Sequence, residues 1–315
     1  MKLPVDLFVG DALARYGFPA GHPLGIDRQD AFLREAAAQG IDRDAVIRPP
    51  RQASRAEIRR FHTSAYVTRV ETAEQQGVAV LDDGDTPVFP GIYAASATVV
   101  GSALDGLERI MAGASGRTFQ PIGGLHHARR DGAAGFCVFN DLGVVIETLR
   151  AQYQIKRVAY IDIDVHHGDG VFYAFEEDAD LIVADVHEDG RSLYPGTGGA
   201  DETGKGTARG TKLNIPLQAH AGDREFLEAW PRVLEHLRRH QPRFFVFQCG
   251  ADGLDGDPLA HLRYSPKVHA HAARSLCDLA DELCNGRIMG FGGGGYNRHN
   301  LALAWSAVLR EFVAV

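Results

Sequence analysis

Ala159-Tyr160-Ile161-Asp162-Ile163-Asp164-Val165-His166-His167-Gly168-Asp169-Gly170 joins an apolar strand pattern to a run of carboxylates, imidazoles and glycines. Residues two apart on an extended strand point the same way. Asp162, Asp164 and His166 are therefore expected on one face, and Ile161, Ile163 and Val165 on the other. An Asp-X-His pair so placed can grip one metal ion, although an isolated pair of this kind is more often a solvated strand end. What decides between these readings is whether the rest of the chain supplies a third ligand, an acid/base pair and a pocket.

The same switch from apolar strand to polar cluster recurs on either side. Downstream, Arg243-Phe244-Phe245-Val246-Phe247-Gln248-Cys249 is nearly all apolar, as a central parallel strand buried on both faces should be, and it runs into Gly250-Ala251-Asp252-Gly253 and then Asp257-Pro258-Leu259. The strand expected over 287–291 ends in Gly292-Gly293-Gly294-Gly295-Tyr296-Asn297, and upstream a strand over 118–122 ends in Gly123-Gly124-Leu125-His126-His127-Ala128. Helical patterns alternate with these strands over 27–38, 54–76, 92–111, from the capping pair Asn140-Asp141 to about 153, and over 170–177, 223–240, 266–285 and 299–312. Further strands are expected near the N-terminus, in Met1 to Val9, and over 181–187. The segment 81–91 has the composition of an exposed loop, and 193–210 that of a turn-rich wall without the Lys-Ser/Thr of a phosphate loop. In the 54–76 helix, His62 falls at core-like spacing and reads as a packing residue. This alternation predicts an α/β fold with a central, mostly parallel sheet and helices on both faces, as one domain over 1–315. Ligands in such sheets bind outside the carboxyl ends of the strands, where all four polar clusters fall.

Composition narrows the class. With 315 residues, 45% hydrophobic and 23% charged, the chain is an ordinary globular protein, and no apolar run approaches the roughly 18 residues of a membrane span. The N-terminus does not read as a signal peptide, so a cytoplasmic location is expected. A formal net charge of −8 disfavours nonspecific nucleic-acid binding. Neither nucleic acid nor membrane is expected as a partner; a homo-oligomer is compatible with the sequence. Cys137, Cys249, Cys277 and Cys284 lack C-x-x-C spacing and read as reduced core residues.

Brought to one crevice, these residues form a reaction centre. Asp164, His166 and Asp252 can supply an Asp2His set for a divalent cation with an open position for water and substrate. Two carboxylates neutralise such an ion, so water activation calls for a base beside it. His126 and His127 are the candidates, with Asp162 and Asp169 to orient them. Tyr296, projecting from the four-glycine loop, can donate to a developing oxyanion. His167 should point away from the metal and anchor the fold.

The motifs His-His-Ala with Gly-Phe-Cys-X-X-Asn, Asp-X-Asp-X-His-His-Gly-Asp-Gly, Tyr-Pro-Gly-Thr-Gly, Gly-Ala-Asp with Gly-Asp-Pro-Leu, and Gly-Gly-Gly-Gly-Tyr-Asn resemble the zinc-dependent histone deacetylases. They equally resemble that family's bacterial relatives, the acetoin-utilisation proteins and acetylpolyamine amidohydrolases, on the arginase/deacetylase fold. The resemblance covers nearly the whole chain and implies zinc on Asp164, His166 and Asp252. It implies His127 as general base and then acid, His126 as its electrostatic partner with Asp162 and Asp169 behind the two rings, and Tyr296 polarising the amide carbonyl. It further implies Phe136 and Tyr194 as walls of a channel for a lysine-like stem, Leu259 near its mouth, Asp85 at its rim and Arg28 along an inner channel. A structural potassium ion is implied around Asp162, Asp164 and His166, with Asp185 where some members carry a hydroxyl residue. The implied reaction removes acetyl or longer acyl groups from the ε-amine of lysine in proteins or peptides. An acylated polyamine or other small amine is the alternative substrate, disfavoured by Leu259 where polyamine-specific members often carry glutamate. Gly124-Leu125 replaces the common Pro-Gly before the histidine pair and bears on acyl-chain space. Zinc and iron(II) both suit the site. Dimanganese ureohydrolase chemistry is disfavoured because Gly168 and Gly250 stand where its bridging carboxylates would be, and intact ligands speak against a non-enzymatic relative.

Overall fold

In the computed structural model, residues 3–19 and 21–314 are described; Met1 and Lys2, at the start of the expected first strand, lie outside them. The strands are β1 (Val5–Phe8), β2 (Val46–Arg48), β3 (Arg117–Gln120), β4 (Val158–Asp162), β5 (Leu181–Glu188), β6 (Lys212–Leu217), β7 (Phe245–Gln248) and β8 (Ile288–Phe291). Among the described residues these eight form one sheet in the order β2-β1-β3-β8-β7-β4-β5-β6, with every pair parallel.

The order explains where the site lies. After β3 the chain leaves two strand places open, starts β4 beyond them and builds outward through β5 and β6, before β7 and β8 return to fill the gap. Register then aligns the carboxyl ends: Asp162 pairs with Gln248, Gln248 with Phe291, and Phe291 with Gln120. The segments leaving β3, β8, β7 and β4 thus emerge side by side at a topological switch point.

Alternation along β4 divides the core. Ile161, Ile163 and Val165 pack with the helices Arg28–Ala38, Asp223–His240, Pro266–Cys284 and Arg298–Ala314. Val158 and Tyr160 face the opposite layer, which includes Ser64–Ala73, Ile92–Met111, Asp141–Tyr153 and Asp169–Ala174. Small residues let Ile92–Met111 sit close: a Cβ on Gly101 would lie 2.2 Å from the Arg51 carbonyl oxygen.

Several expectations are corrected. β4 ends at Asp162, so Asp164 and His166 stand in a bend beyond the strand, although Ile163 and Val165 continue its inward alternation. The helix expected over 54–76 is two, Arg55–Ile58 and Ser64–Ala73, because Ser54 closes a capping box with Glu57 and Thr63 caps a second start through the Tyr66 N–H. The loop 81–91 is not wholly exposed: Leu81 and Thr86 are buried, and Asp82 accepts from the N–H groups of Gly84, Asp85 and Thr86. Edge strands β2 and β6 fall outside the expected strands; Pro216 in β6 is tolerated because an edge leaves one row of N–H groups unpaired.

Candidate active site

The bend after β4 and the loop after β7 bring Asp164, His166 and Asp252 together, all buried, with ligand-capable atoms within 4.8 Å of one another. His166 Nδ1 lies 3.1 Å from Asp164 Oδ1 and 3.2 Å from Asp252 Oδ2. Burial alone would depress this imidazole, but the two carboxylates outweigh it and raise its pKa to about 10. Asp252 Oδ1 accepts from the Val165 N–H, whereas Oδ2, though 3.2 Å from His166 Nδ1, is buried and makes no hydrogen bond. A buried carboxylate oxygen left open beside a second carboxylate and an imidazole fits a divalent cation, the group that would satisfy all three.

The surroundings hold these ligands rigidly. Asp164 Oδ2 accepts from Gln248 Nε2 at 2.7 Å and from the Gly294 N–H at 2.8 Å. Glycine is required where backbone meets carboxylate: a Cβ on Gly250 would lie 2.0 Å from Asp164 Oδ2, and one on Gly294 2.0 Å from Asp252 Oδ2. A side chain at Gly168 would likewise strike the Tyr160 hydroxyl at 2.4 Å. Neither Gly168 nor Gly250 leaves room for a further ligand.

Two histidine–aspartate dyads flank the triad. His126 Nδ1 is 2.8 Å from Asp162 Oδ2, and His127 Nδ1 is 2.7 Å from Asp169 Oδ1. The two Nε2 atoms face each other at 3.0 Å. His127 is lowered to about 4, by burial first and then by His126. Asp162 is raised by burial and by the Asp185 and Asp164 carboxylates; the Tyr160 hydroxyl donates to its Oδ2. Burial opposes ionisation of Asp169, but its bond with His127 outweighs that and lowers it.

Tyr296 follows the glycine loop, its N–H held by Asp257 Oδ2 at 2.8 Å, and its phenol is raised well above the usual value by burial and by Asp252 and Asp164. It remains a proton donor. The Phe136 ring lies edge-on to it at 5.8 Å, while Tyr194 stands 5.1 Å from the His127 ring and 6.2 Å from that of His166. Leu259 is half-buried, its N–H accepted by Asp257 Oδ1. Asp85 is exposed in the 82–86 turn; its carbonyl is 3.3 Å from His22 Nε2, and its charge helps raise the Tyr194 phenol after burial and nearer groups. Arg28 is buried beneath the glycine loop, donating to the carbonyls of Gly293 and Gly295. His167 turns away and bonds Thr197, as an anchoring residue should.

Sequence reasoning missed several supports. Tyr160, two residues before Asp162 on the same strand face, was within reach of the period-two rule. Gln248 and Asp257 were not, because the contacts that tie them to the site, with Asp164 and with the Tyr296 N–H, come from other segments. Asp141 does more than start a helix: its carboxylate accepts from the N–H groups of Gly124 and Leu125, just ahead of the histidine pair. Asp185 has both oxygens engaged, one with His187 Nδ1 at 2.6 Å and the other accepting from the Gly168 N–H at 2.9 Å.

The histone deacetylase domain family matches residues 22–312. The chain is 36% identical over 311 residues to the acetoin utilization protein AcuC of Bacillus subtilis (strain 168), covering 95% of this chain and 80% of that protein. It is 31% identical over 314 residues to the histone deacetylase RPD3 of Saccharomyces cerevisiae, covering 96% and 70% respectively. The crystal structure of the HDA15 HD domain superposes with a TM-score of 0.90 at 27% identity, over 99% of this chain and 90% of that one.

Proposed function

The chain belongs to the histone deacetylase family, and on that premise we propose that it is a zinc-dependent amidohydrolase that frees the ε-amine of acyl-lysine in proteins or peptides from acetyl or longer acyl groups. The observation that carries this reading is the convergence of two histidine–aspartate dyads on an Asp-His-Asp triad, with the Nε2 atoms of His126 and His127 only 3.0 Å apart. Zinc held by Asp164, His166 and Asp252 would supply Lewis acidity toward a water and an amide carbonyl.

The chain's own residues do the rest. Asp169 accepts from His127 Nδ1–H, which leaves the Nε2 lone pair, beside His126 Nε2, to take a proton from the attacking water. A base depressed to about 4 is neutral at pH 7, as this step requires. The proton then passes from His127 Nε2 to the departing ε-amine. His126, backed by Asp162, stabilises the charge that His127 acquires. The protonated phenol of Tyr296 donates to the developing oxyanion. Phe136 and Tyr194 line the approach for an alkyl stem, with Leu259 at its mouth and Asp85 at its rim for the substrate backbone.

Steric exclusion at Gly168 and Gly250 supports a single transition-metal site per chain. A potassium ion around Asp162, Asp164 and His166 is part of the same reading. Burial and the neighbouring Asp185 and Asp164 carboxylates raise Asp162, which supports a cation there, while Asp185, with both oxygens engaged, stands outside its ligand set. We take the whole chain as one catalytic domain acting in the cytoplasm; among the described residues no helix is long and apolar enough to cross a membrane. Steady-state kinetics on acyl-lysine peptides of varied acyl length, beside acetylspermidine, test the substrate. The expected result is a higher kcat/KM for a peptide; a higher value for acetylspermidine would transfer the reaction to small amines.

A further inference from the structure

Phe136 presents its ring to the approach from an unfavourable backbone. Ala134 and Cys137 exchange backbone hydrogen bonds at 3.2 and 2.8 Å, and the two residues between them, Gly135 and Phe136, have φ of 51° and 68°. Two central residues at positive φ are the signature of a type I′ turn, whose second central position favours glycine. The first central position here can only be glycine, because a Cβ on Gly135 would lie 2.6 Å from the His127 ring and 3.1 Å from that of Tyr194. A phenylalanine in the left-handed region is strained and persists only where its surroundings over-determine it.

The over-determination comes from the N-terminal segment. The Tyr16 hydroxyl donates to the Phe136 carbonyl at 2.7 Å and accepts from the Val138 N–H at 3.0 Å, so it ties both sides of the turn's exit. Tyr16 is fully buried, and burial keeps its phenol protonated. The Tyr66 hydroxyl takes the Val138 carbonyl at 2.7 Å. Six residues after Tyr16, the His22 ring lies against Phe136 with centroids 4.6 Å apart, while its Nδ1 accepts from the Leu24 N–H and its Nε2 reaches the Asp85 carbonyl.

Resting on the deacylase reading of this site, we propose that Tyr16 is a positioning residue that sets substrate specificity: its hydroxyl latches the strained 134–137 turn and so fixes the Phe136 wall of the acyl-lysine channel. The latch acts on binding of the stem and leaves the reacting atoms to His127 and Tyr296. Tyr16→Phe removes one oxygen and two backbone partners without removing the ring. KM for an acetyl-lysine peptide should rise roughly three- to tenfold, the worth of one or two lost hydrogen bonds, with kcat changed less than about twofold. In a Phe136→Gly background, where there is neither ring nor strain, Tyr16→Phe should move KM by less than about twofold.

The experiment is this double-mutant cycle, read together with amide hydrogen exchange at Phe136, Cys137 and Val138. Faster exchange at Val138 in Tyr16→Phe is expected whether or not the protein turns over the peptide. Unchanged exchange there, an equal KM effect in both backgrounds, or a loss confined to kcat would each overturn the inference. A wild-type protein inert toward every acylated amine would instead overturn the deacylase reading, leaving exchange to decide the latch. Circular dichroism on both variants separates either result from misfolding.

Discussion

His127 Nδ1 stands 2.7 Å from Asp169 Oδ1 while His127 Nε2 faces His126 at 3.0 Å, so one carboxylate decides which nitrogen carries the proton and which is free. Asp169→Asn keeps the shape but removes the charge that favours the Nδ1-protonated ring. We predict a loss in kcat of roughly 10²- to 10⁴-fold, the range for misorienting a histidine base, with KM nearly unchanged. A kcat within about threefold of wild type on an acetyl-lysine peptide would remove Asp169 from the mechanism.

Tyr296 lies beside both Asp252 and Asp164, and burial together with those carboxylates keeps it protonated. Tyr296→Phe should lower kcat by roughly 10²-fold or more, as removal of an oxyanion donor does, while leaving KM within a few fold. Undiminished turnover in steady-state assays would sink the assigned role.

Metal stoichiometry tests the glycines. A Cβ on Gly250 would sit 2.0 Å from Asp164 Oδ2, on backbone that cannot yield without moving the ligand. Gly250→Ala should therefore fold, by circular dichroism, yet retain far less metal than the roughly one ion per chain expected of the parent. Full zinc content in Gly250→Ala, or two transition-metal ions per wild-type chain by elemental analysis, would contradict this site.

Acid sensitivity should come partly from buried neutral histidines. His62 Nε2 accepts from the Asn140 N–H at 2.8 Å and its Nδ1 faces the Arg130 carbonyl; burial lowers it to about 3, and His236 and His269 to about 4. Each is depressed below its unfolded value, so the unfolded chain binds more protons between about pH 4 and 6.5. Stability is then full above pH 6.5 and falls as pH drops through that window, by at most about 4 kcal/mol for His62. His62→Gln, which keeps an acceptor for Asn140, should be less stable at pH 7 but lose less between pH 6.5 and 4.5. An unchanged difference between those two pH values in urea denaturation would show that His62 does not contribute.

The candidate site was legible where an apolar strand stopped at a chemical cluster, because a parallel sheet carries such ends to one edge. Asp162, Asp164, His166, Asp252, His126 and Tyr296 could all be found on that rule, even though β4 stops short of two of them. What stayed hidden depends on register between distant segments. Gln248 matters because it lies beside Asp162 in the sheet, and Asp257 because one carboxylate spans the Leu259 and Tyr296 loops. β6 escaped notice because Lys-Leu-Asn-Ile-Pro-Leu mixes its signals at an edge, where only one side needs pairing. The break at Thr63 was hidden by apolar spacing that continues across two capped helices.

Acetate release from an acetyl-lysine peptide, measured on protein stripped by a chelator and then titrated with zinc, tests the central claim most directly. Release should be lost on stripping, return fully at about one zinc per chain, and fail to return in Asp252→Ala. Undiminished release by the stripped protein, or recovery only at about two ions per chain, would contradict it.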